Sequence, residues 1–185
     1  MKVRDLRWHL FLLLCVAVPL LSAAPTPGNE IEDEIRWRSD LRLSWEDFKA
    51  RPDRLSQMDA LTESGITFSW SCDSRGFQLE AYAIFVPTGS WVKEPTETLL
   101  QHEQGHFDIT EIHARRLRKF FSEHPNPCRL GKTGIDNAAK SIIQRSYQIQ
   151  NEYDEATNHG QNKGAQRQWL QEIAKELESL SAWAE

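Results

Sequence analysis

The chain has 185 residues, with 22 Lys and Arg against 27 Asp and Glu, a formal charge of −5, and 39% hydrophobic residues. That is enough apolar content for one domain with a real core. The balance is too acidic for nucleic acid or an anionic membrane surface as a partner.

Residues 1–24 read as an export signal. Lys2, Arg4 and Arg7 precede an apolar run over 10–21, and Ser22-Ala23-Ala24 supplies a small-x-small cleavage site. The run is too short to span a bilayer as a helix and contains Pro19. The rest of the chain is therefore expected to be exported, to the periplasm or outside the cell, with no stable membrane span after cleavage. Cys72 and Cys128 remain in it, without the CxxC spacing of a zinc knuckle or redox pair. In an oxidising compartment they either pair or lie buried as two thiols, and the sequence leaves both open.

Residues 25–40 read as a polar lead, and 41–185 as one domain. Leu41, Leu43 and Trp45 alternate like a short strand, and Ser44 is placed to cap a helical turn through Phe48 before Arg51-Pro52-Asp53 breaks it. Two strands follow, over 65–72 and 77–86, the first with Ile66, Phe68, Trp70 and Cys72 on one face. Asp73-Ser74-Arg75-Gly76 between them predicts a hairpin. The stretch Tyr82–Val86 is expected to offer a free edge to an extended peptide. Pro87-Thr88-Gly89 ends the sheet.

A helix is predicted from Thr96 to about Phe121, with Pro95 in its first turn and a stop before Pro125 and Pro127. Arg115, Arg116, Arg118 and Lys119 near its end read as a solvated face that favours the helix dipole. After a loop over 125–134, a second helix is predicted from Asp136 to about Thr157, closing at His159-Gly160. A last amphipathic helix carries Ala165, Trp169, Ile173, Leu177 and Leu180 on one stripe. The fold class is α+β: a small antiparallel sheet on the first helix, a second antiparallel helix, and the C-terminal helix.

The first helix carries His102-Glu103-Gln104-Gly105-His106, an HExxH sequence. Four residues are slightly more than one helical turn, so both imidazoles leave one face within reach of one ion. Glu103 stands about 100° round from His102, beside the metal, where it holds a water against it. Gly105 admits a close neighbour, a strand or a substrate backbone. This pattern points to one catalytic Zn²⁺ with Glu103 as general base, and to a peptide or protein substrate.

Such an ion needs a third protein ligand. His113 shares the stripe of His106 but lies about 10 Å further along the helix, which makes it an ordinary core or surface histidine. Two antiparallel helices joined near residue 130 pair positions whose numbers sum to about 260, which sets His106 against Asp154 and His102 against Asn158. Asp154, Glu155 and His159 are the candidates there. His159 is preferred, because a histidine before a helix-ending glycine has little reason to be there as packing. Asp154 is the alternative, either as ligand or as the acceptor that fixes a histidine tautomer. Tyr153 is expected to donate its hydroxyl to the developing oxyanion, or else to be a core aromatic.

The pieces LSWEDF (43–48), SWV to LLQHEQGHFDI (90–109), AR-R-LRK (114–119), and YDEATNHG (153–160) followed by Gln166 and Trp169 resemble the bacterial family catalogued as domain of unknown function 922, described as predicted secreted zinc-dependent proteases of the zincin type. The resemblance runs over about residues 41–174. It implies a minimal zincin-like fold with His102 and His106 as ligands and Glu103 as catalytic acid and base, and leaves the third ligand open. Asp108 departs from the broader zincin pattern, where an apolar residue is usual. The expected function is a secreted or periplasmic zinc-dependent peptidase. The alternatives are a zinc amidase or endopeptidase acting on cell-wall peptides, and an exported binding or scaffold module without catalysis.

Overall fold

A computed structural model describes residues 34–185. The expected signal and residues 25–33 of the lead lie outside them. Eight regular elements follow in chain order: strands β1 (Ile35–Arg36), β2 (Ala60–Leu61), β3 (Ser64–Asp73), β4 (Gly76–Phe85) and β5 (Trp91–Val92), then helices α1 (Glu97–Glu123), α2 (Gly131–Thr157) and α3 (Lys163–Ser179). The class is α+β, with small antiparallel sheets and three helices. No helix among the described residues is long and apolar enough to cross a membrane.

The hairpin forms where its sequence alternates. β3 and β4 pair in register from Ser64↔Phe85 to Asp73↔Gly76, leaving Ser74-Arg75 as a two-residue turn. Gly76 closes it at φ +97°, a conformation that favours glycine. On the inner face of β4, Ala81, Ala83 and Phe85 are wholly buried against α1. The two alanines let the helix approach the sheet closely. A bridge between Cys72 and Cys128, 5.9 Å apart at Cα, ties the hairpin to the turn before α2. Closing a loop of 56 residues in this way is worth about 4 kcal/mol by the chain-entropy argument.

Three expectations about the sheet are corrected. The sheet order is β1-β4-β3, so β4 is central; β1 covers its edge at Ile84 and Phe85, and that stretch offers no free edge to a substrate. The lead is ordered at its end, because Ile35 and Arg36 form β1 and Trp37 N–H donates to the Ala83 carbonyl at 2.9 Å. Residues 41–45 are not a strand. Leu43 N–H donates instead to the Gln104 side-chain carbonyl at 2.9 Å, and the expected short helical turn forms over Trp45–Asp47 behind Ser44. Asp108 explains the arrangement: its carboxylate accepts from Trp37 Nε1 at 2.8 Å and Gln104 Nε2 at 2.9 Å, so it pins the lead segment to α1. Burial raises the pKa of Asp108 against those bonds.

α1 starts at Thr96, whose hydroxyl accepts from Leu99 N–H at 3.2 Å; Pro95 lies one residue before this cap rather than in the first turn. The helix packs on the sheet through Phe107, Ala114, Leu117 and Phe121, and on α2 and α3 through Ile109 and Ile112. Its basic C-terminal part is not simply solvated. Arg115 and Arg118 bind the buried Glu111 carboxylate at 2.8 and 2.7 Å, and they donate to the carbonyls of Leu177 and Trp183. The end of α3 returns over α1 there, and its unpaired carbonyls need buried donors. Arg116 and Lys119 stay near the surface. α2 begins at Gly131, directly after a short turn over Pro127–Leu130, five residues earlier than the apolar spacing indicates.

His113 is buried, with Nδ1–H donating to the Ile109 carbonyl at 2.9 Å and Nε2 accepting from Arg116 at 3.1 Å. It takes no part in the HExxH site. Burial lowers its pKa to about 4, below the 6.5 of an exposed imidazole. The native state thus resists a proton that the unfolded chain accepts below pH 6.5. Stability falls as pH drops from there to about 4, by roughly 3 kcal/mol at 1.4 kcal/mol per unit. His113→Gln is expected to flatten this limb. Urea unfolding of both proteins at the two ends of that range checks it, and equal losses would contradict it.

Candidate metal centre

The site forms where α1 and α2 run side by side. His102 and His106 leave one face of α1, with their Nε2 atoms 3.1 Å apart. Asp154, on α2, brings Oδ1 to 3.0 Å from His102 Nε2 and 3.1 Å from His106 Nε2. These three side chains form a group able to hold a metal ion.

Two glutamines determine which ring atoms face inward. Gln166 Nε2 donates to the Tyr153 hydroxyl at 2.6 Å, so its carbonyl oxygen is turned to His102 Nδ1 at 3.0 Å. Gln150 Nε2 donates to the His106 carbonyl and to Thr110 Oγ1, both at 3.0 Å, so its oxygen meets His106 Nδ1 at 2.5 Å. Each Nδ1 then carries a proton, which in the neutral ring leaves Nε2 with a bare lone pair; this assignment follows from the hydrogen-bond network. In that tautomer two lone pairs and a carboxylate oxygen converge, so a bound cation, or else an added ring proton, must stand between them. A cation resolves that clash of acceptors, and outer partners on the far nitrogens are the usual support of metal-binding histidines. Without an ion, burial disfavours a charged His106 ring, yet Asp154, Glu103 and Gln150 outweigh it and raise its pKa. Burial likewise opposes ionisation of Asp154, but bonds from His102 and His106 hold its carboxyl well below the ordinary carboxylate range.

Glu103 is 3% exposed, and its Oε2 is buried without a hydrogen-bond partner. A buried carboxylate oxygen left unpaired is costly, and at a site it marks where a water or ligand belongs. Glu103, both histidines and Asp154 line one cleft of about 260 Å³. Its opposite wall is the segment Met58–Thr62, held by pairing of β2 with β5.

His159 lies outside the group of three. α2 ends at Thr157, and Asn158, His159 and Gly160 all take left-handed backbone, at φ +48°, +51° and +79°. Two non-glycine residues there cost about 1 kcal/mol or more each. The reversal swings His159 off the helical path to the cleft rim, half exposed, with Nδ1 3.4 Å from Asp154 Oδ1. It also presses Gly160 onto His102: a Cβ there would stand 3.1 Å from the histidine Cβ and Cγ. The structure thus puts Asp154, the second choice of the sequence, where His159 was expected. Glu155, the remaining candidate, is not in the group.

Tyr153 is fully buried and does not line the cleft. Its hydroxyl donates to the His102 carbonyl at 3.3 Å and accepts from Gln166, and its ring stacks on His102 at 4.6 Å between centroids. Burial raises its pKa. The hydroxyl expected to face an oxyanion is thus engaged behind His102, away from the cleft. Gly105 makes room for this ring rather than for a strand or substrate: a Cβ at 105 would lie 2.5 Å from the Tyr153 hydroxyl. Gly105→Ala is expected to cost about 1–3 kcal/mol through overpacking, and to weaken metal binding by displacing the ring behind His102. Thermal unfolding with and without added zinc checks this; an unchanged midpoint would contradict it.

Gln150 has no signal in the sequence beyond its place one turn before Asp154. Gln166 stands on α3, too far along the chain for spacing to connect it with His102.

Residues 88–160 match the model of a family described as a bacterial protein of unknown function, DUF922. No curated protein and no solved structure matches the chain. The match is shorter than the resemblance read over 41–174 and leaves out LSWEDF, Gln166 and Trp169. Over residues 88–160, which hold both histidines, Glu103, Asp154 and His159, the chain therefore resembles this bacterial family of unknown function.

Proposed function

We propose that the protein is an exported zinc-dependent peptidase of the zincin type, with His102, His106 and Asp154 as the metal ligands and Glu103 as general base. The observation that carries this reading is the buried, unpaired Glu103 oxygen beside three converging electron-pair donors. Bonds of about 2.0–2.2 Å in a tetrahedron would need donor–donor edges of about 3.3–3.6 Å, so the 3.0–3.1 Å seen between these atoms would widen by a few tenths of an ångström around an ion. Two imidazoles and a carboxylate also suit iron(II). A purely structural or redox site has no use for Glu103.

Zinc held there would act as a Lewis acid and bring the pKa of water toward 7. Glu103 takes the proton of the attacking water and delivers it to the leaving amine. The glutamines and Tyr153 keep both rings in one tautomer and orientation. The segment 58–62 stands where an extended chain can lie along it. Pairing of Ala60 with Val92 and Leu61 with Trp91 occupies one side of this segment, and alternation turns the backbone groups of Ala60 and Thr62 to the other.

The test is digestion of an unfolded protein and of cell-wall peptidoglycan by the zinc-loaded enzyme. Cleavage of the unfolded protein that stops with chelator and returns with zinc supports the peptidase. Cleavage of peptidoglycan alone supports an amidase. No hydrolysis of either favours the scaffold.

A further inference from the structure

We propose that the cleft selects cationic polypeptide segments over acidic ones through Asp59; this rests on the peptidase reading above and names its substrate class. Apart from the histidines, the charged side chains lining the cleft are Asp59, Glu103 and Asp154, and no Lys or Arg joins them. The basic residue next to Asp59 across the β2–β5 ladder is Lys93, whose backbone N–H donates to the Asp59 carbonyl at 2.8 Å. Its ammonium is directed elsewhere, donating to the Ser56 carbonyl at 2.6 Å and lying 5.7 Å from the Trp91 ring centroid.

The three acids differ in what they have left to give. Asp154 faces the two imidazoles, and Glu103 is buried in the cleft wall with Oε2 unpaired. A divalent ion held by the group of three would balance these two carboxylates. Asp59 is left over: it is exposed and forms no ion pair among the described residues. A carboxylate entering the cleft, from a chain terminus or an acidic cell-wall peptide, would lose water and meet no cation in return. An ammonium or guanidinium meets Asp59, and Met58, Leu61, Leu99 and Tyr147 along the same cleft cover the aliphatic stem behind it. The cation comes from a Lys or Arg side chain or from an N-terminal amine.

The experiment uses zinc-loaded Glu103→Gln protein, which holds peptide without cutting it, and matched fluorescent peptides in a neutral frame with one Lys or one Glu and both ends blocked. The lysine peptide is expected to bind about tenfold tighter, equivalent to about 1.4 kcal/mol. Adding Asp59→Lys reverses the order, and about 1 M salt collapses the ratio. A lysine-free peptide with a free N-terminus assigns the source: binding tighter than the blocked lysine peptide makes the terminus the cation, weaker binding the side chain. Equal binding of the Lys and Glu peptides, an order unchanged by Asp59→Lys, or binding of neither overturns the proposal. Failure of the wild type to hydrolyse any peptide would instead count against the peptidase reading, and the binding order stays readable without it.

Discussion

Glu103→Gln is expected to bind zinc at the wild-type stoichiometry and to hydrolyse peptide about a thousandfold more slowly. The amide keeps the shape of the side chain but cannot take a proton from water, and a positioned base contributes about 10²–10⁴-fold. Glu103 is not among the three converging donors, so the metal should not notice the change. The burial that leaves Oε2 unpaired also means that the neutral variant folds at least as well as the wild type. Single-turnover hydrolysis beside metal analysis of the same sample separates the two effects. Wild-type cleavage by this variant would remove Glu103 from the chemistry, and loss of zinc would make it a ligand.

The second large effect separates Asp154 from His159. Asp154→Ala removes the oxygen that meets both imidazoles, and is expected to lower zinc affinity by more than about a hundredfold, beyond the range seen when an outer partner is lost. His159→Ala removes a half-exposed ring 3.4 Å from the carboxylate, and should stay within about tenfold of wild type. Competition with a chelating indicator measures both. The reverse ranking would restore His159 as the third ligand.

That exchange shows how far the sequence reaches. The HExxH pair is readable because helical geometry alone fixes where residues 102 and 106 point. Reflecting the helices about residue 130 brings Asp154 beside His106, and their atoms stand 3.1 Å apart. The helical spacing behind the preference for His159 does not hold locally: the chain leaves the helix at Thr157, and three left-handed residues carry His159 off the path that spacing assumes. β1, β2 and β5 have two residues each, too few for any period to show, yet β1 turns the expected free edge of β4 into a sheet interior. Arg115 and Arg118 look solvated along the chain because their partners, Leu177 and Trp183, arrive from the far end of the fold. Gln150 is an ordinary polar residue until packing sets it behind a ring, and Gln166 stands out in the sequence only through the family resemblance, with no sign of the ring it supports.

The central claim is a single ion held by two histidines and one carboxylate with one position open. X-ray absorption at the zinc edge of the purified wild type tests it most directly. Two imidazole nitrogens and one carboxylate oxygen at about 2.0–2.2 Å, with one further oxygen from exchangeable solvent, are the expected shell. Protein that binds no zinc when it is supplied, or a closed shell of four protein ligands, would contradict the account.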